Sequence, residues 1–301
     1  MSQKTVIIIT GPTASGKTEL AMEVARHFQT SIISADSRQC FRELNIGVAK
    51  PNPGQLEEIR HFFINSHSIK DEVNAAVFEA KALQVCDEVF STRDVVVLSG
   101  GTGLYIKAFC EGLDDIPAID QGIRESVLNL YQQQGLQGLR ESIQQSDPLF
   151  YSSGEISNPQ RMMRALEVIQ STGQSIISFH NRAKKQRSFR LLEFGIRLPR
   201  KILYQRINER VDEMMDQGLL AEVKSLAADQ HLNALQTVGY SELFQYLEGK
   251  VTLEQAISRI KQNTRHYAKR QITWLNKNKN LVWLEKDFLN QILDRYANPI
   301  S

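Results

Sequence analysis

The sequence predicts an α/β protein: a parallel sheet with helices on both faces, into which an all-helical subdomain is inserted. Three observations support this. The first third alternates short apolar runs with amphipathic stretches, the rhythm of strands and helices around a parallel sheet. Gly11-Pro12-Thr13-Ala14-Ser15-Gly16-Lys17-Thr18 fits G-x-x-x-x-G-K-[ST], the phosphate-binding loop, or P-loop. After Gly112-Leu113-Asp114-Asp115-Ile116-Pro117 the strand signal stops and helical patterns take over. The expected organisation is a P-loop NTPase-like core, residues 1–116 and 189–301, with a helical insertion at residues 117–188.

Val6-Ile7-Ile8-Ile9 predicts a buried strand over Thr5–Thr10. Leu20, Ala21, Val24 and Phe28 recur at helical spacing and predict a helix over Lys17–Phe28. Strand, glycine loop and helix is the setting the motif requires. Further strands are predicted at Ser31–Ser34, Asp94–Ser99 and, from a weaker run, Phe62–Asn65; a helix is predicted at Asn74–Phe90. In the insertion, Ile123–Gln134, Leu136–Gln145 and Pro159–Thr172 read as helices, with Gly173 placed to end the last. Leu191–Leu198 then reads as a strand, and Pro199 opens a long helix. Thr252-x-x-Gln255 is a capping box. The helix after it puts Ala256, Ile257, Ile260, Tyr267 and Ala268 on one side. Arg259, Arg265, His266, Lys269 and Arg270 fall on the other, a basic face suited to phosphates.

The chain of 301 residues, 42% hydrophobic and 23% charged, is long enough for one large globular domain or two. Its apolar runs are strand-length, so no membrane span is expected. Cys40, Cys86 and Cys110 are far apart, form no C-x-x-C and have no histidine pair beside them. That excludes a disulfide framework and a zinc site, and it predicts reduced thiols in a cytoplasmic protein. The N-terminus enters the first strand directly, so no signal peptide is expected. The net charge of +2 hides an asymmetry: Asn181–Arg210 carries +8 and Ser258–Asn280 carries +7, leaving the rest at −13. These windows are either solvated helix faces or a footprint for a polyanion larger than one nucleotide.

The P-loop glycines let the backbone wrap a phosphate, with N–H groups at the helix start pointing at it. Lys17 adds a charge, and the Thr18 hydroxyl can hold Mg²⁺. The loop alone does not decide whether the ligand is ATP. P-loop ATPases and GTPases usually place an Asp on a neighbouring strand for Mg²⁺. Here Val95-Val96-Val97-Leu98 runs into Ser99 and then Gly100-Gly101-Thr102-Gly103, marking a close backbone approach or a tight turn. A carboxylate does follow the second strand, at Asp36. It could accept a proton from a nucleophile, touch Mg²⁺ through water, or cap the following turn.

Four blocks of the chain resemble the tRNA dimethylallyltransferases, also called tRNA isopentenyltransferases, of the bacterial type. They are the P-loop; Asp36-Ser37-Arg38-Gln39 continuing through Ile46-Gly47 to Ala49-Lys50-Pro51; Gly100–Tyr105; and Asn158–Val168. Gly239-Tyr240-x-Glu242 and Thr264–Trp274 add to the resemblance. The P-loop alone is shared by many families; the ordered combination is specific. The resemblance implies transfer of a dimethylallyl group from its diphosphate to N6 of the adenine just 3′ of the anticodon in certain tRNAs. It implies Mg²⁺ as cofactor and an insertion that grips the anticodon arm. In family terms Asp36 takes the proton from the amine. Gly11–Thr18 and Arg210 bind the diphosphate, with Lys17 and Thr18 stabilising charge on it. Asp36, Ser37, Arg38 and Gln39 match tRNA-contacting segments, as do Gln160, Arg161, Met162, Met163 and Arg164; Thr102 and Arg124 match single tRNA contacts. A monomer is the expected form.

Each motif also has a plainer reading. Arg161 and Arg164 could form a salt-bridged face, Arg210 an ion pair with Glu209 or Asp212. Tyr267 and Trp274 could be core residues rather than base-stacking platforms. The chain departs from the family at Cys40-Phe41, at Val48 and across Arg60–Ser66, which bears on the prenyl pocket and tRNA preference and leaves the P-loop and Asp36 intact. A P-loop small-molecule kinase and a non-catalytic RNA-binding P-loop protein are the rival readings.

Overall fold

The computed structural model describes residues 3–153, 156–180 and 184–298. Two compact units result, Met1–Glu111 with Gln186–Ser301, and Gly112–Lys185. Both divisions fall a few residues earlier than the limits read from sequence.

The first unit starts with β1 (Thr5–Thr10), α1 (Lys17–Phe28), β2 (Ile32–Ser34), α2 (Pro53–Glu58), β3 (His61–Phe62), α3 (Ala75–Phe90), β4 (Val95–Gly100) and α4 (Gly103–Glu111). The second unit holds α5 (Gln121–Ser146), α6 (Pro148–Ser152) and α7 (Pro159–Thr172). The chain then returns to the first unit with β5 (Arg190–Ile196), α8 (Arg200–Asp216), α9 (Leu219–Ser225), α10 (Tyr240–Leu247), α11 (Leu253–Leu275), β6 (Val282–Leu284) and α12 (Phe288–Ala297).

All six strands are parallel, in the order β3-β2-β4-β1-β5-β6. Every residue of β1 is buried, as a strand covered on both faces must be. Ile7, Ile9, Val97 and Phe194 pack with Leu20 and Val24 of α1 and Ile292 of α12 in one core. Because β4 lies between β1 and β2, the loops leaving all three strands emerge side by side at the carboxyl edge, where such sheets bind ligands. Those loops are the P-loop, the Asp36 segment and the Gly100 run.

The glycine run admits protein, not only ligand. A Cβ on Gly100 would stand 2.2 Å from the Ala35 carbonyl oxygen. On Gly101 it would stand 2.4 Å from Gln271 Nε2, and on Gly103 2.6 Å from the Trp274 ring. Three neighbours thus close on this turn, and Gly103 begins α4 rather than extending the loop.

In the insertion, Leu139 and Ile143 of α5 pack on Met162, Leu166 and Val168 of α7. The two helices read from sequence form one element bent at Gly135, whose φ of 61° lies in the left-handed region that glycine tolerates. Gly173 ends α7 with φ 71°.

Candidate active site

The P-loop is held by its own backbone and by two distant helices. Gly16 (φ 91°) and Ala14 (φ 62°) take left-handed conformations that turn successive N–H groups inward. Lys17 Nζ donates to the Pro12 carbonyl at 2.8 Å. Thr13 N–H donates to Gln271 Oε1 at 2.8 Å, while Gln271 Nε2 donates to the Gly101 carbonyl at 2.9 Å. Gln271 of α11 therefore ties the P-loop to the glycine turn. From α8, Arg210 Nη1 donates to Thr13 Oγ1 at 3.4 Å. Neither Glu209 nor Asp212 takes the Arg210 charge: Glu209 accepts from Gln205 and Asp212 pairs with Lys261, while Asp36 acts on it more strongly than Glu213 of its own helix.

A cavity of about 100 Å³ opens here, lined by Thr13, Lys17, Thr18, Asp36 and Arg210 and by the apolar Ala21, Ile32 and Ile64. Asp36, Thr13, Val48, Arg210 and Tyr267 also line a second cavity of about 480 Å³. Asp36 thus stands where an anion cradle meets a larger recess. Its Oδ1 accepts from the N–H groups of Arg38 (2.9 Å) and Gln39 (3.3 Å). The carboxylate caps the turn and lines the cavities at once, so capping is compatible with the other readings of it. Thr102 Oγ1 accepts from Ser37 N–H at 3.0 Å, fixing the same turn from the glycine loop.

Electrostatics suit an anion. Burial first, then the Arg210 guanidinium, push Lys17 down to about 8, against the pull of Asp36 and Glu19. Burial also lowers Arg210, opposed by Asp36. Two cations are thereby held in a desolvated place that an incoming anion would stabilise. Among the described residues the buried hydroxyl of Ser15, within the P-loop, has no hydrogen-bond partner. As Lys17 is a cation with a depressed pKa, it loses its charge at lower pH than an ordinary lysine. Affinity for a diphosphate-bearing ligand is therefore expected to hold at pH 7 and fall roughly tenfold by pH 9. Binding titrations across that range check this, and Lys17→Met should flatten the profile.

The donor set also fits Mg²⁺. Among the described residues no three His, Cys, Asp or Glu cluster around a metal site. Mg²⁺ needs none when it is bound through phosphates, waters and one or two protein oxygens. The Thr18 hydroxyl and the Asp36 carboxylate line one cavity and are the oxygens available.

The structure brings together Gly11–Thr18, Asp36, Gln39, Arg210 and the Ser37–Thr102 contact. Gln39 is engaged within the protein: its amide accepts from Ser34 Oγ and donates to the Val48 and Ala49 carbonyls. Ser37 and Arg38 line the larger cavity. In the insertion, Gln160 and Arg161 are exposed, and Arg164 pairs with Glu167 at 3.2 Å. Arg124 follows the Asp120 cap at the start of α5. Met162 and Met163, read as RNA contacts, are packing residues instead: both are buried in the insertion's own core. The basic windows are partly committed too. Arg259 donates to Gln245, Arg265 to Asn208, and Arg190 to carbonyls of α12. Residues 181–183 of the first window lie outside the described residues.

Sequence reasoning missed Gln271 as a site residue and left Tyr267 between core and base-stacking platform; Tyr267 lines both cavities. A polar Gln271 in the buried stripe Ala256, Ile260, Ala268, Leu275 of α11 was the available signal.

The IPP transferase family model matches residues 39–278. The chain belongs to this family. It is 44% identical to tRNA dimethylallyltransferase 1 of Phocaeicola vulgatus over 99% of both chains. It is 43% identical to the protein of that name from Bacteroides thetaiotaomicron, covering 96% of this chain and 94% of the other. Among solved structures it resembles the tRNA isopentenylpyrophosphate transferase of Bacillus halodurans (TM-score 0.69, 33% identity, 98% and 95% of the chains). It also resembles a eukaryotic dimethylallyltransferase acting on tRNA (TM-score 0.79, 25% identity, 96% of this chain and 75% of the other). Among the described residues no helix is long and apolar enough to cross a membrane.

Proposed function

We propose that this chain transfers a dimethylallyl group from dimethylallyl diphosphate to N6 of the adenine 3′-adjacent to the anticodon in certain tRNAs, releasing diphosphate. The observation that carries this reading is Asp36, shared by the anion cradle and the larger recess. A transferase needs this layout: a leaving diphosphate on one side, an entering amine on the other, and a base between them.

The adenine N6 attacks C1 of the dimethylallyl group as the C1–O bond breaks. The electron pair of that bond leaves with the diphosphate, and Asp36 takes the proton that N6 sheds. Lys17, Arg210 and the P-loop N–H groups stabilise charge growing on the leaving oxygens. Mg²⁺ held at Thr18 would supply further neutralisation of the diphosphate. The base has to leave its stack to reach the recess, as enzymes that modify bases require. Exposed Gln160 and Arg161 of α7, with Arg124, Ser37, Arg38 and Thr102, are the proposed tRNA contacts, and the remaining basic side chains add salt-dependent phosphate contacts.

The test is transfer of labelled dimethylallyl to unmodified tRNA in the presence of Mg²⁺. Label on adenine is the expected result. No label with any tRNA pool, from folded protein, would overturn the proposal. Phosphate transfer from ATP to a small molecule would replace it with the kinase reading.

A further inference from the structure

One short segment, Asn45–Pro51, contributes to the lining of three cavities, two of which it shares with Thr13 of the P-loop. Val48, Ala49 and Pro51 line the 100 Å³ cavity, Gly47 and Val48 the 480 Å³ recess, and Asn45, Ile46 and Lys50 a third cavity of about 510 Å³. This segment is held in an unfavourable backbone shape: Ala49 has φ 46°, a left-handed conformation that a residue with a Cβ rarely adopts. Such a shape persists only where surrounding contacts over-determine it.

Ala49 N–H donates to the Ile46 carbonyl at 3.0 Å, and the residues leading up to Ala49 are gripped by one carboxylate. Glu222 Oε2 accepts from the N–H groups of Asn45 (3.1 Å) and Ile46 (2.8 Å). Its Oε1 accepts from Gly47 N–H (3.1 Å) and from the Tyr240 hydroxyl (2.5 Å). Burial, with the carboxylate next in effect, keeps the Tyr240 phenol protonated, so it donates. The Tyr240 ring presses on the same backbone: a Cβ on Gly47 would stand 2.5 Å from it. Gln39 Nε2 holds the Val48 and Ala49 carbonyls from the other side, and Lys50 Nζ ties the segment to the Phe41 carbonyl at 2.6 Å. Glu222 itself lines none of the three cavities.

We propose that Glu222 is a positioning residue: by gripping three consecutive N–H groups it fixes the Val48–Ala49 wall of the diphosphate cavity and thereby sets affinity for the prenyl diphosphate. The inference rests on the transferase reading above. The wall that Val48, Ala49 and Pro51 contribute belongs to the diphosphate cavity, while Gly47 and Val48 also line the larger recess, so the effect is expected first on the diphosphate and more weakly on the RNA. Binding of the prenyl diphosphate therefore depends on it most, while Asp36, held by the N–H groups of its own turn, does not.

Glu222→Gln tests this with almost no change of shape. The new amide must point its own N–H groups at donors already present, so the grip on the segment fails on one side. Binding of dimethylallyl S-thiolodiphosphate, which resists transfer, should weaken by about tenfold or more, and KM for the prenyl diphosphate should rise in parallel. The turnover number and the tRNA Kd should stay within about threefold, and Tyr240→Phe, which leaves the three backbone contacts in place, should shift binding far less. Gly47→Ala perturbs the segment from the opposite side and should reproduce the affinity loss; it carries the test if Glu222→Gln does not fold. Unchanged analogue affinity in either folded variant would overturn the proposal, as would a fall in turnover alone. A wild type that neither binds the analogue nor transfers label would instead overturn the transferase reading.

Discussion

Asp36→Asn is expected to lower turnover by about 10²- to 10⁴-fold, the range a positioned base contributes, while leaving tRNA affinity within a few-fold of wild type. Asparagine is the informative replacement because of what the carboxylate does structurally. Its Oδ1 accepts two backbone N–H groups, those of Arg38 and Gln39, and so shapes the turn that carries the segment Ser37–Gln39. The asparagine carbonyl can accept the same two bonds, so the turn survives and only the basic oxygen is lost. Alanine would remove both and mix a chemical effect with a structural one. Steady-state transfer assays with separate tRNA binding measurements check the expectation. An Asn variant keeping more than a tenth of wild-type turnover would remove Asp36 from the role of base.

Arg187→Met should destabilise the protein by about 3–5 kcal/mol, the cost of breaking a buried ion pair from one side. Arg187 Nη2 sits 2.7 Å from Glu79 Oε1, with side-chain exposures of 9% and 12%. The same guanidinium donates to the Phe109 carbonyl through Nε at 2.7 Å and to the Ala108 carbonyl at 2.9 Å. One side chain thus neutralises a largely buried carboxylate of α3 and occupies carbonyls in the last turn of α4. It does so two residues after Lys185, fixing where the chain re-enters the first unit. Removing it leaves Glu79 charged and unpaired and two carbonyls without their donor. Urea unfolding midpoints check this, and Arg187→Met combined with Glu79→Leu should recover part of the loss because no lone charge remains. A change below about 1 kcal/mol for Arg187→Met would place it with ordinary surface pairs.

The diphosphate end of the site was legible in the sequence because it is local. The P-loop is eight consecutive residues whose glycines, lysine and threonine act through adjacent backbone, and α1 spans Lys17–Phe28 as its apolar spacing indicates. The capping box at Thr252 and the glycine stop at Gly173 are likewise short-range devices, and both are present. Asp36 was legible as a carboxylate at a strand end, since parallel topology carries such ends to one edge. β6 was not read: three residues paired to one neighbour leave no alternation to detect. The methionines of α7 misled because the family segment around them is one block in sequence, while a helix divides it between a buried stripe and an exposed face.

Fold class, phosphate cradle and family were readable from the chain alone, since each is written in contiguous residues or in periodicities that a strand or helix imposes. Only the tertiary structure decided which charges the cradle faces and which are already committed. Arg187 and Arg210 look alike in sequence, yet one is buried against Glu79 and the other lines the cavity. Gln271 reaches Thr13 across 258 positions, and Glu222 grips Asn45 across 177. Hydrogen bonds of that separation follow from how helices pack on the sheet, and packing depends on the whole core rather than on any short stretch of chain.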